Sequence, residues 1–97
     1  MKIYLTAIVK SKPEHIVEVL QVLENMVTET RKESACLLYD LHQGIEDKNL
    51  FVFYEIWESQ HGLDLHNEQP YIKEFKSLAE GKLAEEPLVC LLQKIEK

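Results

Sequence analysis

The chain has 97 residues and a formal net charge of −6, with 45% hydrophobic and 29% charged residues. This length predicts a single domain over residues 1–97 with a modest core, since a domain of this size buries only about 60–65% of its extended-chain surface. The acidic charge argues against a nucleic-acid backbone or an anionic membrane as partner. No apolar run approaches the roughly 18 residues of a membrane span, and no signal-peptide pattern opens the chain. Cys36 and Cys90 are expected to be reduced, buried thiols, which favours a cytoplasmic protein.

The first two predicted elements are a strand and an amphipathic helix. Residues 2–10 (KIYLTAIVK) are largely apolar on both alternating faces, which is typical of a central strand covered on both sides. Residues 11–14 (SKPE) have capping-box spacing with proline in the first turn, so a helix is expected to begin there. Its apolar stripe has helical spacing and consists of Ile16, Leu20, Leu23 and Val27.

Two apolar strands joined by a Gly-containing loop follow the helix. They are expected from Cys36 to Gln43 and from Leu50 to Trp57, with residues 44–49 as a hairpin loop. One face of the second strand carries Leu37, Tyr39 and Leu41. One face of the third strand carries Phe51, Phe53, Glu55 and Trp57, and its other face Val52, Tyr54 and Ile56. A ligand pocket, if present, is expected to have this hairpin as its floor.

The last third of the chain predicts two short helical pieces and a strand. Ser59 is the expected N-cap of the first piece, and residues 67–70, which end in proline, interrupt it. The second piece begins near Pro70, with Gly81 as the expected C-terminal cap. The final strand is expected to run from Leu88 to Ile95.

The order strand, helix, strand, strand, helix, strand is that of the ferredoxin-like, split βαβ arrangement of the α+β class. It predicts a four-stranded antiparallel sheet with the helices on one face. Because the strands are apolar on both sides, the other face is expected to be an interface, and we expect a homodimer with two sheets packed face to face.

Three motifs occur in this setting, namely Arg31-x-Glu33-x-x-Cys36-Leu37-x-Tyr39, then Phe53-x-Glu55-x-Trp57-x-Ser59, then His66. Together with the element order, they resemble the antibiotic biosynthesis monooxygenase family, with the small quinol monooxygenases as the nearest branch. One departure is Ala35, which stands where glycine is usual.

The resemblance implies a dimeric α+β barrel and, in active members, oxygenation without metal, flavin or haem. It also implies alternatives, because one branch of the family isomerises a phosphorylated autoinducer. A haem-degrading branch is disfavoured, since no asparagine lies in the first strand and no histidine follows His66. The four histidines show no metal-binding spacing.

His66 is the leading candidate for acid–base chemistry, because its ordinary pKa lies near neutrality and the family pattern places a histidine there. The alternative is a surface or helix-capping histidine. Glu55, a carboxylate in an apolar strand, must be paired, hydrogen-bonded or neutral. An ion pair with Arg31 is the structural interpretation, and a catalytic base is the functional one.

The aromatic residues of the hairpin complete the candidate site. Trp57 and Phe53 are candidates for a wall against a flat substrate ring, and core packing is their structural alternative. Tyr54 and Tyr71 are candidate donors to a substrate oxyanion, with Tyr39 a further substrate contact.

The leading hypothesis is therefore a cofactor-independent monooxygenase that combines molecular oxygen with a quinol or polyphenol-like aromatic. The sequence leaves two rivals open. One is a non-oxidative isomerase of a small polar, autoinducer-like substrate, and the other is a dimer that binds a ligand without catalysis.

Overall fold

The structure, a computed structural model, describes residues 1–97 and contains four strands and three α-helices in the predicted order. Their bounds are β1 Ile3–Lys10, α1 Ile16–Thr30, β2 Cys36–Gln43, β3 Leu50–Trp57, α2 Gln60–Asn67, α3 Pro70–Lys82 and β4 Leu88–Leu92. A short 3₁₀ turn, Pro13–His15, precedes α1. None of the helices is both long and apolar enough to cross a membrane.

The four strands form one antiparallel sheet in the order β2-β3-β1-β4. Strands β1 and β3 pair along their whole length, from Ile3 opposite Trp57 to Lys10 opposite Leu50. The three helices lie over one face of this sheet, which confirms the ferredoxin-like α+β fold. We call the face that they cover the inner face and the opposite one the outer face.

The core lies between the inner face and the helices. Strand β1 is central in the sheet, as predicted, and its residues alternate between buried and half-buried as far as Val9. On β3, the face that carries Phe51, Phe53, Glu55 and Trp57 is the buried one. The largest fully buried side chains are Trp57, Phe51, Phe53, Leu23, Val9 and Val19. The outer face of the pairing strands is covered by no other element and includes Tyr4, Thr6, Ile8, Val52, Tyr54 and Ile56.

The alternation predicted for β2 is wrong at its start. Cys36 pairs with Trp57 and Leu38 pairs with Ile56, so an extra residue, Leu37, is inserted between the two pairs. Such a bulge shifts the alternation by one position. Cys36 therefore shares the inner face with Tyr39, whereas Leu37 is 48% exposed.

Two of the three predicted helix caps are also wrong. The Ser11 hydroxyl donates to the carbonyl of Lys12 instead of capping a helix. Gly81 lies inside α3, which continues to Lys82 and ends on Leu83. The Ser59 cap is confirmed, since its Oγ accepts the backbone N–H of Gly62 at 3.1 Å. Strand β4 ends at Leu92, three residues before the predicted Ile95.

The start of α2 packs against the turn before β2 at very short range. The backbone N–H of Glu58 donates to the carbonyl of Ala35 at 2.9 Å. A Cβ added at Gly62 would lie 2.3 Å from the Ala35 Cβ, which is closer than two carbon atoms can approach. Gly62 therefore makes room for the Ala35 methyl group, and this contact positions the helix that carries His66.

We expect Gly62→Ala to lower the free energy of unfolding by about 1–3 kcal/mol, the usual cost of overpacking, although alanine favours helices. Adding Ala35→Gly should restore part of the loss, because the nearest remaining atoms lie at 3.6 Å and 3.8 Å. Gly81→Ala is the matched control. No atom lies within 4 Å of its added Cβ, so it should be neutral or stabilise by up to about 1 kcal/mol. Chemical denaturation of wild type, the three single variants and the double variant measures these effects, and additive effects of Gly62→Ala and Ala35→Gly would contradict the contact.

Candidate active site

A cavity of about 300 Å³ opens between the inner face of the sheet and the helices. This volume is at the small end of the range for ligand pockets, which is about 300–1,000 Å³. Its walls are mostly apolar and come from all four strands and the three helices. The side chains with polar atoms in its lining are Tyr39, Glu55, His66, Asn67 and Lys76.

His66 is part of this cavity lining and is only 4% exposed, so it is not a surface residue. Its ring centroid lies 4.5 Å from that of Trp57 and 5.7 Å from that of Tyr39. The last turn of α2 holds it there, with Gly62 and Leu63 buried beside it on the same helix. His66 therefore belongs to the packed interior, and the alternative of a surface histidine is wrong.

The carboxylate of Glu33 fixes the orientation of this imidazole. Nδ1 of His66 lies 2.8 Å from Oε2 of Glu33, in the turn between α1 and β2. Because an ionised carboxylate only accepts hydrogen bonds, Nδ1 carries the proton and Nε2 has a free lone pair. No protein group bonds Nε2. The pair thus presents an unprotonated ring nitrogen as a potential base.

Burial lowers the pKa of His66 from its ordinary value, and the positive charge of Lys76 adds to this effect. The hydrogen bond to Glu33 and its negative charge act in the opposite direction but do not outweigh burial. His66 is therefore neutral at pH 7 and able to accept a proton.

Tyr71 reaches the same carboxylate from α3. Its hydroxyl donates to Oε2 of Glu33 at 2.5 Å. Burial and this hydrogen bond both raise the pKa of Tyr71, so its proton stays on the hydroxyl. Tyr71 does not line this cavity but a polar cleft between α1 and the start of α3. It contributes to the site by holding the Glu33 carboxylate in place. Its hydroxyl proton is donated to Glu33 and is therefore not available to a substrate oxygen.

Glu55 is 4% exposed and is not paired with Arg31, so the predicted ion pair is wrong. Arg31 instead donates to the carbonyl of Tyr39 at 3.2 Å and to the carboxylate of Asp40 at 3.1 Å. Glu55 Oε1 accepts the indole N–H of Trp57 at 2.8 Å, and Oε2 has no protein partner. Burial raises the pKa of Glu55 to about 7, although the Trp57 hydrogen bond opposes the rise.

The structure brings together most of the residues singled out from the sequence. Phe53 and Tyr39 line the cavity with Glu55 and His66. Trp57 is fully buried behind them and supports both His66 and Glu55. Tyr54 is placed apart, because it lies on the outer face and is 38% exposed. No group of three or more His, Cys, Asp or Glu side chains is arranged to hold a metal ion.

Glu33 is the site residue to which the sequence reasoning gave no role. It lies in the first of the three motifs but outside any helix or strand, so no periodicity indicates its direction. Its two partners are 33 and 38 residues away along the chain. The only available signal was its presence in a motif that also contains the other site residues.

Comparison with known proteins agrees with this fold. The model of the family described as antibiotic biosynthesis monooxygenase matches residues 3–78, and the chain belongs to this family. A Bacillus subtilis protein named "Putative monooxygenase YcnE" is 34% identical over 80 residues, which are 82% of each chain. A solved structure described as an antibiotic biosynthesis monooxygenase is 30% identical, with a TM-score of 0.91 over 97% of this chain and 99% of that chain.

One curated relative is considerably longer. The uncharacterized protein sll1783 of Synechocystis is 29% identical over 76 residues, which are 78% of this chain and 52% of that protein. The chain thus spans about half the length of this relative. The YcnE match, in contrast, covers both proteins to the same extent.

The raised pKa of Glu55 predicts a characteristic pH dependence of stability. A folded-state pKa above the unfolded one means that the folded state binds more protons, so this contribution to stability is lost as pH rises from about 4.5 to about 7. The loss is of the order of 3 kcal/mol. Glu55→Gln keeps an acceptor for the Trp57 N–H and cannot ionise. Its unfolding free energy relative to wild type should therefore increase between about pH 5 and pH 8.

Urea denaturation across this range measures the effect, with the exposed Glu58→Gln as control. A difference between Glu55→Gln and wild type that does not vary with pH would contradict the raised pKa. If Glu55→Gln is instead less stable than wild type, with the largest deficit at high pH, then Glu55 is a paired anion in the folded protein.

Proposed function

We propose that the chain is a monooxygenase that needs no metal, flavin or haem and that acts on a small quinol or polyphenol. The observation that carries the proposal is the Glu33–His66 pair, which directs a neutral imidazole at an apolar, aromatic-lined cavity. Such a cavity suits a flat ring, and a quinol supplies from its own ring the electrons that oxygen requires. The protein then needs to provide a base, a dry pocket and correct orientation.

The reaction starts with proton transfer. Nε2 of His66 takes the proton from a substrate hydroxyl, and Glu33 stabilises the imidazolium that forms. The resulting phenolate is a much stronger electron donor to oxygen than the neutral quinol. Exclusion of water by Phe53, Tyr39 and the apolar lining strengthens the electrostatic interactions of the charged intermediates.

The overall reaction balances without another reductant. One oxygen atom replaces a ring hydrogen, and the other leaves as water. The four electrons that reduce the oxygen molecule come from the substrate, which loses two on hydroxylation of the ring and two on conversion of quinol to quinone. The products are a hydroxyquinone and water. The proton taken by His66 returns to the departing oxygen.

Glu55 is the second titratable group in the cavity. With a pKa of about 7, it is present in both protonation states at neutral pH. That property is favourable for a group that alternately gives and takes protons. In this scheme, Glu55 exchanges a proton with the second substrate hydroxyl or with the departing oxygen. It is also the alternative to His66 as the base.

We expect His66→Asn to lower kcat/KM for a quinol by about 10²–10⁴-fold, the usual contribution of a positioned acid–base group. Asparagine retains a side-chain N–H near the position of Nδ1 and so keeps a donor for Glu33, but it has no equivalent of Nε2. Oxygen consumption in metal-free buffer measures the loss. It should shrink at high pH, because a substrate that is already ionised needs no base. Activity equal to wild type at every pH would assign the base to Glu55.

Glu33→Gln tests the positioning role of Glu33. It removes the negative charge that opposes the lowering of the His66 pKa, so the acid limb of the pH–rate profile should move to lower pH. The plateau rate should also fall. An amide can donate to Nδ1 as well as accept from it, so it no longer selects the tautomer of His66 in which Nε2 is free to take a proton. A lower plateau with an unmoved acid limb would show that Glu33 acts only on structure.

Aerobic and anaerobic assays distinguish this function from its rivals. An isomerase turns over without oxygen, whereas an oxygenase stops. Ligand binding with no turnover under either condition would favour the non-catalytic dimer.

The proposal includes a homodimer. The outer face is apolar and uncovered, and β4 adds the exposed Leu88 and Leu92 to it. Packing two outer faces together would bury these surfaces and add to a modest core.

Light scattering should accordingly give about twice the 11.4 kDa of one chain. Tyr54→Asp, on the outer face, should shift the mass towards one chain, because a charge is costly to bury at an interface. The control is Leu65→Asp, at an exposed position on α2. A single-chain mass for the wild type at micromolar concentration would reject the dimer.

A further inference from the structure

The charges around the cavity are unevenly distributed. Its buried end contains Glu55 and His66, with Glu33 behind His66. Its open side contains Lys76, an exposed residue on α3, which is the one basic side chain in the lining apart from His66. The buried end of the cavity lining therefore carries a carboxyl and an imidazole group and the open side an ammonium group, with Glu80 and Glu86 lining the adjoining cleft beside Lys76.

Lys76 is one of the lysines that have no carboxylate partner within ion-pair distance. Four lysines form ion pairs, including Lys73 on the same helix, which lies 3.9 Å from Glu68. In a chain with 17 acidic residues and a net charge of −6, an unpaired lysine at a cavity opening is available to a ligand.

We propose that the cavity binds a small aromatic with a hydroxyl group at one end and an anionic substituent, such as a carboxylate, at the other. The hydroxyl lies towards His66 and the anionic group towards Lys76. This assignment specifies the substrate class of the proposed function and rests on that function for turnover. The binding itself rests only on the cavity and its charges.

The opposite orientation is disfavoured. A carboxylate at the buried end would lose its hydration next to Glu55, with no cation to compensate. At the open side it keeps part of its hydration and gains the attraction of the ammonium group. A volume of about 300 Å³ limits the ligand to one or two rings.

Binding is tested with 4-hydroxybenzoate and 4-hydroxybenzamide, which have nearly the same shape and differ in charge at neutral pH. The fluorescence of Trp57, the single tryptophan, is the readout, because Trp57 contacts both His66 and Glu55 behind the cavity. Calorimetry provides an independent measurement. Neither ligand has to be oxidised, so a failure of the oxygenase proposal would not affect the result.

We expect wild type to bind the benzoate about three- to tenfold more tightly than the benzamide, since Lys76 is partly hydrated and the pair is partly screened. Lys76→Met should abolish this preference, and Lys76→Arg should retain it. Lys73→Met, at another exposed lysine of the same helix, should leave it unchanged. The preference should also weaken with added salt.

Equal affinity of wild type for the two ligands would overturn the proposal, as would a preference that survives in Lys76→Met. Absence of binding of either ligand would overturn it as well, because the cavity would then not accept the ring. Loss of the preference in Lys73→Met to the same extent would show a general effect of surface charge.

Discussion

The contact between the rings of His66 and Trp57, with each ring donating an N–H to a different carboxylate, is the interaction on which the rest of this structure depends. It joins the turn after α1 through Glu33, the end of α2 through His66, and β3 through Trp57 and Glu55. Tyr71 adds α3 through its bond to Glu33. The groups that define the chemistry of the cavity therefore also hold the helices on the sheet.

This arrangement has an energetic cost that a small domain must offset elsewhere. Burial disfavours the charged forms of Glu55 and His66, and it moves the pKa of the first up and of the second down. Both groups are consequently able to be neutral near pH 7, which reduces the cost of placing them in an apolar cavity. The same shifts make them suitable for proton transfer. Burial of Glu55 and His66 away from water therefore affects both the stability of the fold and the reactivity of the site.

Much of the fold could be predicted from the sequence, because periodicity reports which face of an element is buried. The alternation in β1 and β3 is confirmed, including the burial of Glu55 and Trp57 on one face. The prediction was wrong where one residue changes the register, as at the Leu37 bulge in β2. The pairing of Arg31 with Glu55 was wrong for a related reason. The position of Arg31 just before β2 does not show which groups it contacts, and in the structure these are the Tyr39 carbonyl and the Asp40 carboxylate.

The site was predictable only in part. Apolar and aromatic positions on β3 could be assigned to the cavity by alternation, and His66 by its motif. Glu33 could not be assigned, since its function arises from contacts with residues 33 and 38 positions away. Lys76 was missed as well, because an exposed lysine on an amphipathic helix looks like part of a solvated face. What distinguishes it is the cavity beneath it, and that cavity exists only when α3 and β4 are in place.

The two proposed surfaces are compatible because they lie on opposite sides of the sheet. A dimer formed through the outer face would bury Tyr54 and half of the side chains of β4 while leaving the helical side free. The cavity opens on that helical side, where Lys76, Phe75, Pro87 and Val89 contribute to its lining. Val89 points to the inner face opposite Ala7 and is nevertheless 55% exposed, so the helices do not cover this edge. A ligand in the cavity would shield apolar surface that neither the helices nor an outer-face dimer covers, and this surface is available to contribute to its binding.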